Sequence, residues 1–279
     1  MSVLRRWKRR LGYYEARRRY LRRPFERALR SSDAFLVGHP KSGNTWLAYM
    51  VALLVAGERH ETVTLRNVGR FVPFVHGRDD RIRRYAGLSD PRLFRNENPQ
   101  YPELYPKTIY LIRDPRAALV SFWHMYQAIF DDRDLPLAEF IDQYMAMDRT
   151  FATWNSKLRR WDAQVGDYLV RSNTDARVLI VRYEDMVAGR RDCLSRVARF
   201  LDLPVNSKDI DVAVDRGSFE AMRRVEDRFG AEAYEGKAKG HGKFVRVGRA
   251  DVWREEMSPD VASRIETEFA SAMRLAGYL

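Results

Sequence analysis

The chain has 279 residues, 45% hydrophobic and 12% aromatic, which is enough apolar mass for one sizeable α/β domain with a large core. No run of eighteen apolar residues occurs and no apolar stretch follows the arginine-packed N-terminus, so neither a spanning helix nor a secretory leader is expected and the protein reads as cytoplasmic. The single cysteine, Cys193, excludes an intramolecular disulfide and has no companion thiols or histidines for zinc.

The net charge of +12 is concentrated at one end. Residues 1–30 hold twelve Arg and Lys against Glu15 and Glu26, a net of +10, which leaves +2 for everything after them. The basicity therefore belongs to an arm, residues 1–32, and not to a nucleic-acid-binding body, and no specific nucleic acid is expected. Leu4, Trp7, Leu11 and Tyr14 recur three or four apart in it, and Leu21 follows seven residues on. Two readings of this basic amphipathic helix stay open: peripheral contact with an anionic membrane or acidic partner, and packing of the apolar stripe on the body or on another subunit.

From Asp33 to residue 279 short apolar runs alternate with longer helical periods, the pattern of a parallel sheet covered by helices. Ala34–Gly38 reads as a buried strand followed by a helix over residues 43–56. The stretch 57–106 carries no clear period and reads as a long functional loop set. Thr108–Arg113 is a second strand, followed by a helix over 117–129. Arg177–Tyr183 is a third, followed by a helix over about 184–202. Residues 229–252, rich in Gly and Lys, read as a lid.

The first strand runs into Gly38-His39-Pro40-Lys41-Ser42-Gly43-Asn44-Thr45-Trp46 and then a helix. Such a joint points backbone N–H groups and the positive helix end at one anion. The spacing fits a phosphate loop with Asn44 where the lysine of an NTPase would stand, and that lysine's loss argues against ATP or GTP hydrolysis. Arg113, at the end of the second strand, and Ser121, two turns into the next helix, are placed to converge on a second phosphate.

The segment Lys41–Trp46 resembles the 5′-phosphosulfate loop of the sulfotransferases that use 3′-phosphoadenosine 5′-phosphosulfate (PAPS). Three further segments resemble that family in the same order: Arg113-Asp114-Pro115 with Ser121, Tyr183 with Gly217–Met222, and Phe244–Gly248 ahead of Trp253. The resemblance implies a P-loop-like three-layer sandwich, an α/β fold with a central parallel sheet flanked by helices. It implies PAPS as donor, 3′-phosphoadenosine 5′-phosphate (PAP) as product, and no metal. It assigns Lys41, Ser42, Gly43, Asn44, Thr45 and Trp46 to the phosphosulfate loop and adenine edge. Arg113, Ser121, Arg246 and Gly248 fall to the 3′-phosphate, and Tyr183, Phe219 and Met222 to the base. Val247 and Asp251-Val252 depart from the family's C-terminal pattern.

Sulfuryl transfer to a hydroxyl or amine needs a base. The stretch Arg95-Asn96-Glu97-Asn98-Pro99 resembles the family segment that carries a histidine, and places Glu97 at that position. Glu97 is the expected base, with His124 and His39 as competitors. Phe71, Val72, Phe74, Val75, Trp123, Tyr126 and Phe130 are candidate walls for a small-molecule, lipid or glycan acceptor. Two other classes stay open, a membrane- or nucleic-acid-binding protein whose arm does the work while its α/β body recognises a nucleotide without turnover, and a kinase.

Overall fold

Five consecutive buried residues, Ala34–Gly38, form β1. With both faces covered the strand shows no polar alternation, as expected for the interior of a parallel sheet. A computed structural model describes residues 20–75, 78–130, 134–146, 150–151, 158–229 and 248–279. The arm up to residue 19, Arg246 and most of the expected lid lie outside the described residues.

β1 pairs in parallel with β2 (Leu93–Asn96) on one side and β3 (Lys107–Ile112) on the other, and β3 pairs with β6 (Val178–Arg182), giving the order β2-β1-β3-β6. Two short strands, β4 (Thr150–Phe151) and β5 (Leu158–Arg159), form a separate antiparallel pair. Alternate residues of β1 face opposite layers. Phe35 and Val37 enter a core shared with α1 (residues 20–28), α3 (Pro115–Phe130), α5 (Trp161–Ser172), α11 (Pro259–Glu268) and α12 (Ala270–Leu275). Ala34 and Leu36 enter another, with α2 (Asn44–Ala56), α7 (Arg190–Phe200) and α8 (Ser207–Arg216). The result is the three-layer α/β sandwich expected from the sequence. α2 is apolar nearly all round and accordingly buried. Phe25 of α1 is fully buried and stacks on Tyr101, so the described part of the basic arm packs on the body.

Two expectations are corrected. Residues 57–106 are not one irregular stretch, because β2 lies within them between 3₁₀ turns such as Asp79–Tyr85. Its sequence, LFRN, is too short and polar to announce a buried strand, and Arg95 is accommodated there by the Val72 carbonyl and the Phe74 ring. The helix expected over 184–202 is two, α6 (Tyr183–Ala188) and α7, broken at Gly189.

The amino ends of β1 and β2 are fastened by a fully buried ion pair. Arg92 donates to both carboxylate oxygens of Asp33, Nε to Oδ1 at 2.7 Å and Nη2 to Oδ2 at 2.6 Å, and Nη2 also reaches the Ala28 carbonyl. Removing one partner strands the other charge in the core. Asp33→Ala is therefore expected to lower the unfolding free energy in urea by about 3–5 kcal/mol, and the paired change Asp33→Leu with Arg92→Met to recover most of that loss.

Candidate active site

The sheet order sets the order of the site. Because the four strands are parallel, their carboxyl ends share one edge, where α/β sheets place ligands. Along that edge β2 delivers Glu97, β1 the loop 39–43, β3 Arg113 and β6 Tyr183. The register brings Val37 level with Asn96, Gly38 with Leu111 and Ile112 with Arg182.

The loop turns through two left-handed residues, Lys41 (φ 68°) and Gly43 (φ 102°). A Cβ at Gly43 would lie 2.9 Å from the Tyr183 ring, so glycine is demanded there by both conformation and space. The turn ends on the N-terminus of α2, whose first-turn N–H groups have no intrahelical acceptors. Ser42 Oγ is buried and without a hydrogen-bond partner, an atom for which a ligand oxygen would supply the missing bond. These features fit the phosphosulfate end of PAPS. Asn44 uses its amide as a brace: Nδ2 donates to the carbonyls of Gly38 (3.3 Å) and His39 (3.2 Å) and to Glu97 Oε1 (3.2 Å).

On the other side of the loop, Arg113 donates from Nη1 to the Lys41 carbonyl at 3.0 Å, and its guanidinium lies 4.0 Å from the centre of the Tyr183 ring. Tyr183 meets Trp46 edge to face at 5.6 Å, and Trp46 Nε1 donates to the Gly217 carbonyl at 2.7 Å. Phe219 opens α9 (Phe219–Phe229) two residues later. The peptide of Gly248 (φ 73°) lies against its ring, where a Cβ would stand 2.3 Å from Phe219 Cδ2. The structure thus joins Glu97, the 41–46 loop, Arg113, Tyr183, Trp46, Phe219 and Gly248 in one chain of contacts. Ser121 is partly buried on α3, two turns past Arg113, and Met222 is buried in the core beneath α9. Asp114 caps α3 by accepting the Arg116 N–H at 2.9 Å, so the Arg-Asp-Pro segment is also a strand-to-helix joint.

Glu97 is partly buried. Desolvation raises its pKa above the ordinary glutamate value, opposed by the Asn44 amide and the charges of Arg95 and Lys41. Its backbone carbonyl accepts from Gln164 Nε2 at 3.0 Å. The competing histidines are engaged elsewhere. His39 is fully buried. A carbonyl can only accept, so Nδ1–H donates to the Pro40 carbonyl (3.0 Å) and Tyr144 O–H donates to Nε2 (2.9 Å). Burial lowers its pKa to about 4, and it serves as a neutral link from the loop to α4 (Leu137–Ala146). His124 Nε2 bonds Glu256 of α10 (Trp253–Glu256) at 2.5 Å. Sequence reasoning did not anticipate Asp79 or Gln164, which hold the Glu97 turn. Neither belongs to a motif, and only the placement of β2 reveals them.

The sulfotransferase domain family matches residues 31–277. The chain belongs to the sulfotransferases. This sulfotransferase is 24% identical over 261 residues to the amine sulfotransferase of Oryctolagus cuniculus, covering 88% of this chain and 82% of that one. It is 26% identical over 272 residues to cytosolic sulfotransferase 12 of Arabidopsis thaliana, covering 89% and 79%. Among solved structures, retinol dehydratase in complex with retinol and PAP superposes with a TM-score of 0.68 at 18% identity, covering 88% of this chain and 82% of that chain. Mouse sulfotransferase SULT7A1 complexed with PAP gives 0.63 at 21%, covering 90% of each chain. Among the described residues of the sulfotransferase no group of three or more His, Cys, Asp and Glu is placed to hold a metal, and no helix is long and apolar enough to cross a membrane.

Two outcomes follow from the loop. Gly43→Ala should lower PAP affinity at least about tenfold in calorimetry, since the left-handed turn and the Tyr183 contact both resist a Cβ. The pKa of His39 in the fold lies below its unfolded value near 6.5, so as pH falls the unfolded chain takes up the proton first and stability present above pH 6.5 is lost toward pH 4. Between pH 7 and 4.5 the wild type should lose about 2 kcal/mol more unfolding free energy than His39→Gln.

Proposed function

We propose that this sulfotransferase transfers the sulfuryl group of PAPS in line onto a hydroxyl or amine of a small-molecule acceptor, with Glu97 as base. The observation that carries the reading is the Asn44 amide, which ties the Glu97 carboxylate to the same loop that holds Lys41. When bound, the donor supplies an activated sulfuryl group on its 5′-phosphate. Ser42, Thr45 and the N–H groups at the start of α2 bind the phosphosulfate end. Arg113, Ser121, Gly248 and Arg246 take the 3′-phosphate, and Trp46, Tyr183, Phe219 and Met222 take the adenine. Glu97 accepts the acceptor's proton, and the Lys41 ammonium stabilises the charge left on the departing phosphate oxygen. No covalent intermediate with the protein is required.

Phe74 is partly exposed beside Arg95, two residues before Glu97, which favours a ring or lipid-like acceptor over a bare sugar. Retinol dehydratase has also been crystallised in complex with androsterone and inactive cofactor PAP, which supports an apolar small molecule here. The eight basic residues of 1–19 support peripheral contact with an anionic membrane that carries such an acceptor.

Calorimetric titration tests the donor site: PAP should bind far more tightly than adenosine 5′-phosphate, and Arg113→Ala should abolish the difference. Equal binding of the two nucleotides by wild type overturns it. Turnover tests the roles. Lys41→Ala and Glu97→Gln should each lower kcat by about a hundredfold or more with PAP affinity within threefold of wild type. Because Glu97 acts as a carboxylate with a raised pKa, kcat should fall as pH drops through a value above the ordinary glutamate range near 4.5. The acid limb should vanish in Glu97→Gln.

A further inference from the structure

Glu97 stands one residue past the end of β2 in a turn without regular structure, so its position depends on what holds residues 96–101. Beside the Gln164 bond to the Glu97 carbonyl, that function falls on one buried carboxylate. Asp79, fully buried on the 3₁₀ turn Asp79–Tyr85, collects four donors: Asn96 Nδ2 at 2.8 Å, the N–H groups of Gln100 at 3.1 Å and Tyr101 at 2.9 Å, and Tyr105 O–H at 2.9 Å. Asn96 in turn accepts the Asn98 N–H on Oδ1 at 3.1 Å. The residues on both sides of Glu97 are thereby pinned to a single carboxylate, directly or through Asn96. Burial pushes the pKa of Asp79 up to about 6, opposed by these four bonds, so near neutrality it remains an acceptor-only carboxylate. A carboxylate buried at such cost and surrounded by donors from the 96–105 segment fixes geometry; an apolar side chain would fill the space without fixing the turn.

We propose that Asp79 is a positioning residue for sulfuryl transfer, its carboxylate clamping the 96–101 turn so that Glu97 stays against the Asn44 amide and the Lys41 loop. The inference rests on Glu97 as base. Asp79→Asn keeps the shape and puts an NH2 among four donors. The expected result is a kcat about ten- to a hundredfold lower, PAP affinity within threefold of wild type, and faster hydrogen exchange at the Gln100 and Tyr101 amides. Tyr105→Phe removes a single donor and leaves its ring stacked on Phe35 at 3.6 Å; it should lower kcat by a smaller factor, about threefold, and carries the test if Asp79→Asn does not fold. The double variant Asp79→Asn with Glu97→Gln should turn over no more slowly than Glu97→Gln alone, because Asp79 acts only through Glu97. Wild-type kcat in Asp79→Asn or, should that variant fail to fold, in Tyr105→Phe overturns the positioning role while a slow Glu97→Gln upholds the base. Multiplying effects in the double variant overturn it likewise. A wild-type rate in Glu97→Gln overturns the base reading itself, whatever Asp79→Asn does.

Discussion

Everything at the site depends on the parallel alignment of four strands with β1 inside. A parallel ladder carries every carboxyl end to one edge, so groups as far apart in sequence as Gly43 and Tyr183 become neighbours without any long loop having to reach. The alignment is also unforgiving. A slip of one residue between β1 and β2 would exchange their faces, sending Phe35 and Val37 toward the α2 layer and moving Asn96 and Glu97 out of line with the loop. The Asp33–Arg92 pair at the opposite end of the same two strands opposes that slip. It ties a register device at the amino edge to the chemistry at the carboxyl edge.

The electrostatic design replaces a charge with a brace. Where an NTPase carries a lysine for the terminal phosphates, this chain has an asparagine whose amide holds the loop's carbonyls and a carboxylate together. A lysine there would pair with Glu97 and draw its pKa down, whereas a neutral amide orients the same carboxylate with a smaller effect on its pKa. The positive charge sits instead on Lys41 and on Arg113, the latter held between a backbone carbonyl and the face of Tyr183. That arrangement pre-sets the guanidinium.

Much of this was legible in the sequence where composition and structure coincide. β1, β3 and β6 are short apolar runs ended by charged or glycine-rich motifs, and each lies within a residue of where the pattern puts it. β2 was not legible, since a strand of four residues with Arg95 and Asn96 has neither alternation nor an apolar run; its burial rests on partners far away in sequence. For the same reason Glu97 could be singled out by its motif but not its supports. Asp79 lies in an arginine-rich stretch that reads as a solvated loop, and only tertiary packing makes it a buried acceptor. His39 was misleading in the opposite sense: its place in the loop invited a catalytic reading, while both ring nitrogens face inward and are satisfied by the scaffold.

The segment 270–279 has a consequence for how the protein is made. Tyr278 donates its hydroxyl to Glu184, 94 residues earlier, and the same carboxylate accepts the Asp114 N–H at the end of β3. Arg182 of β6 meanwhile bonds the Ala276 carbonyl. Until this segment has been translated, Arg182 and Glu184 lack these bonds. A nascent chain in that state leaves Trp161 without the Tyr278 ring, which makes the interval before residue 278 emerges the time when chaperone protection matters most.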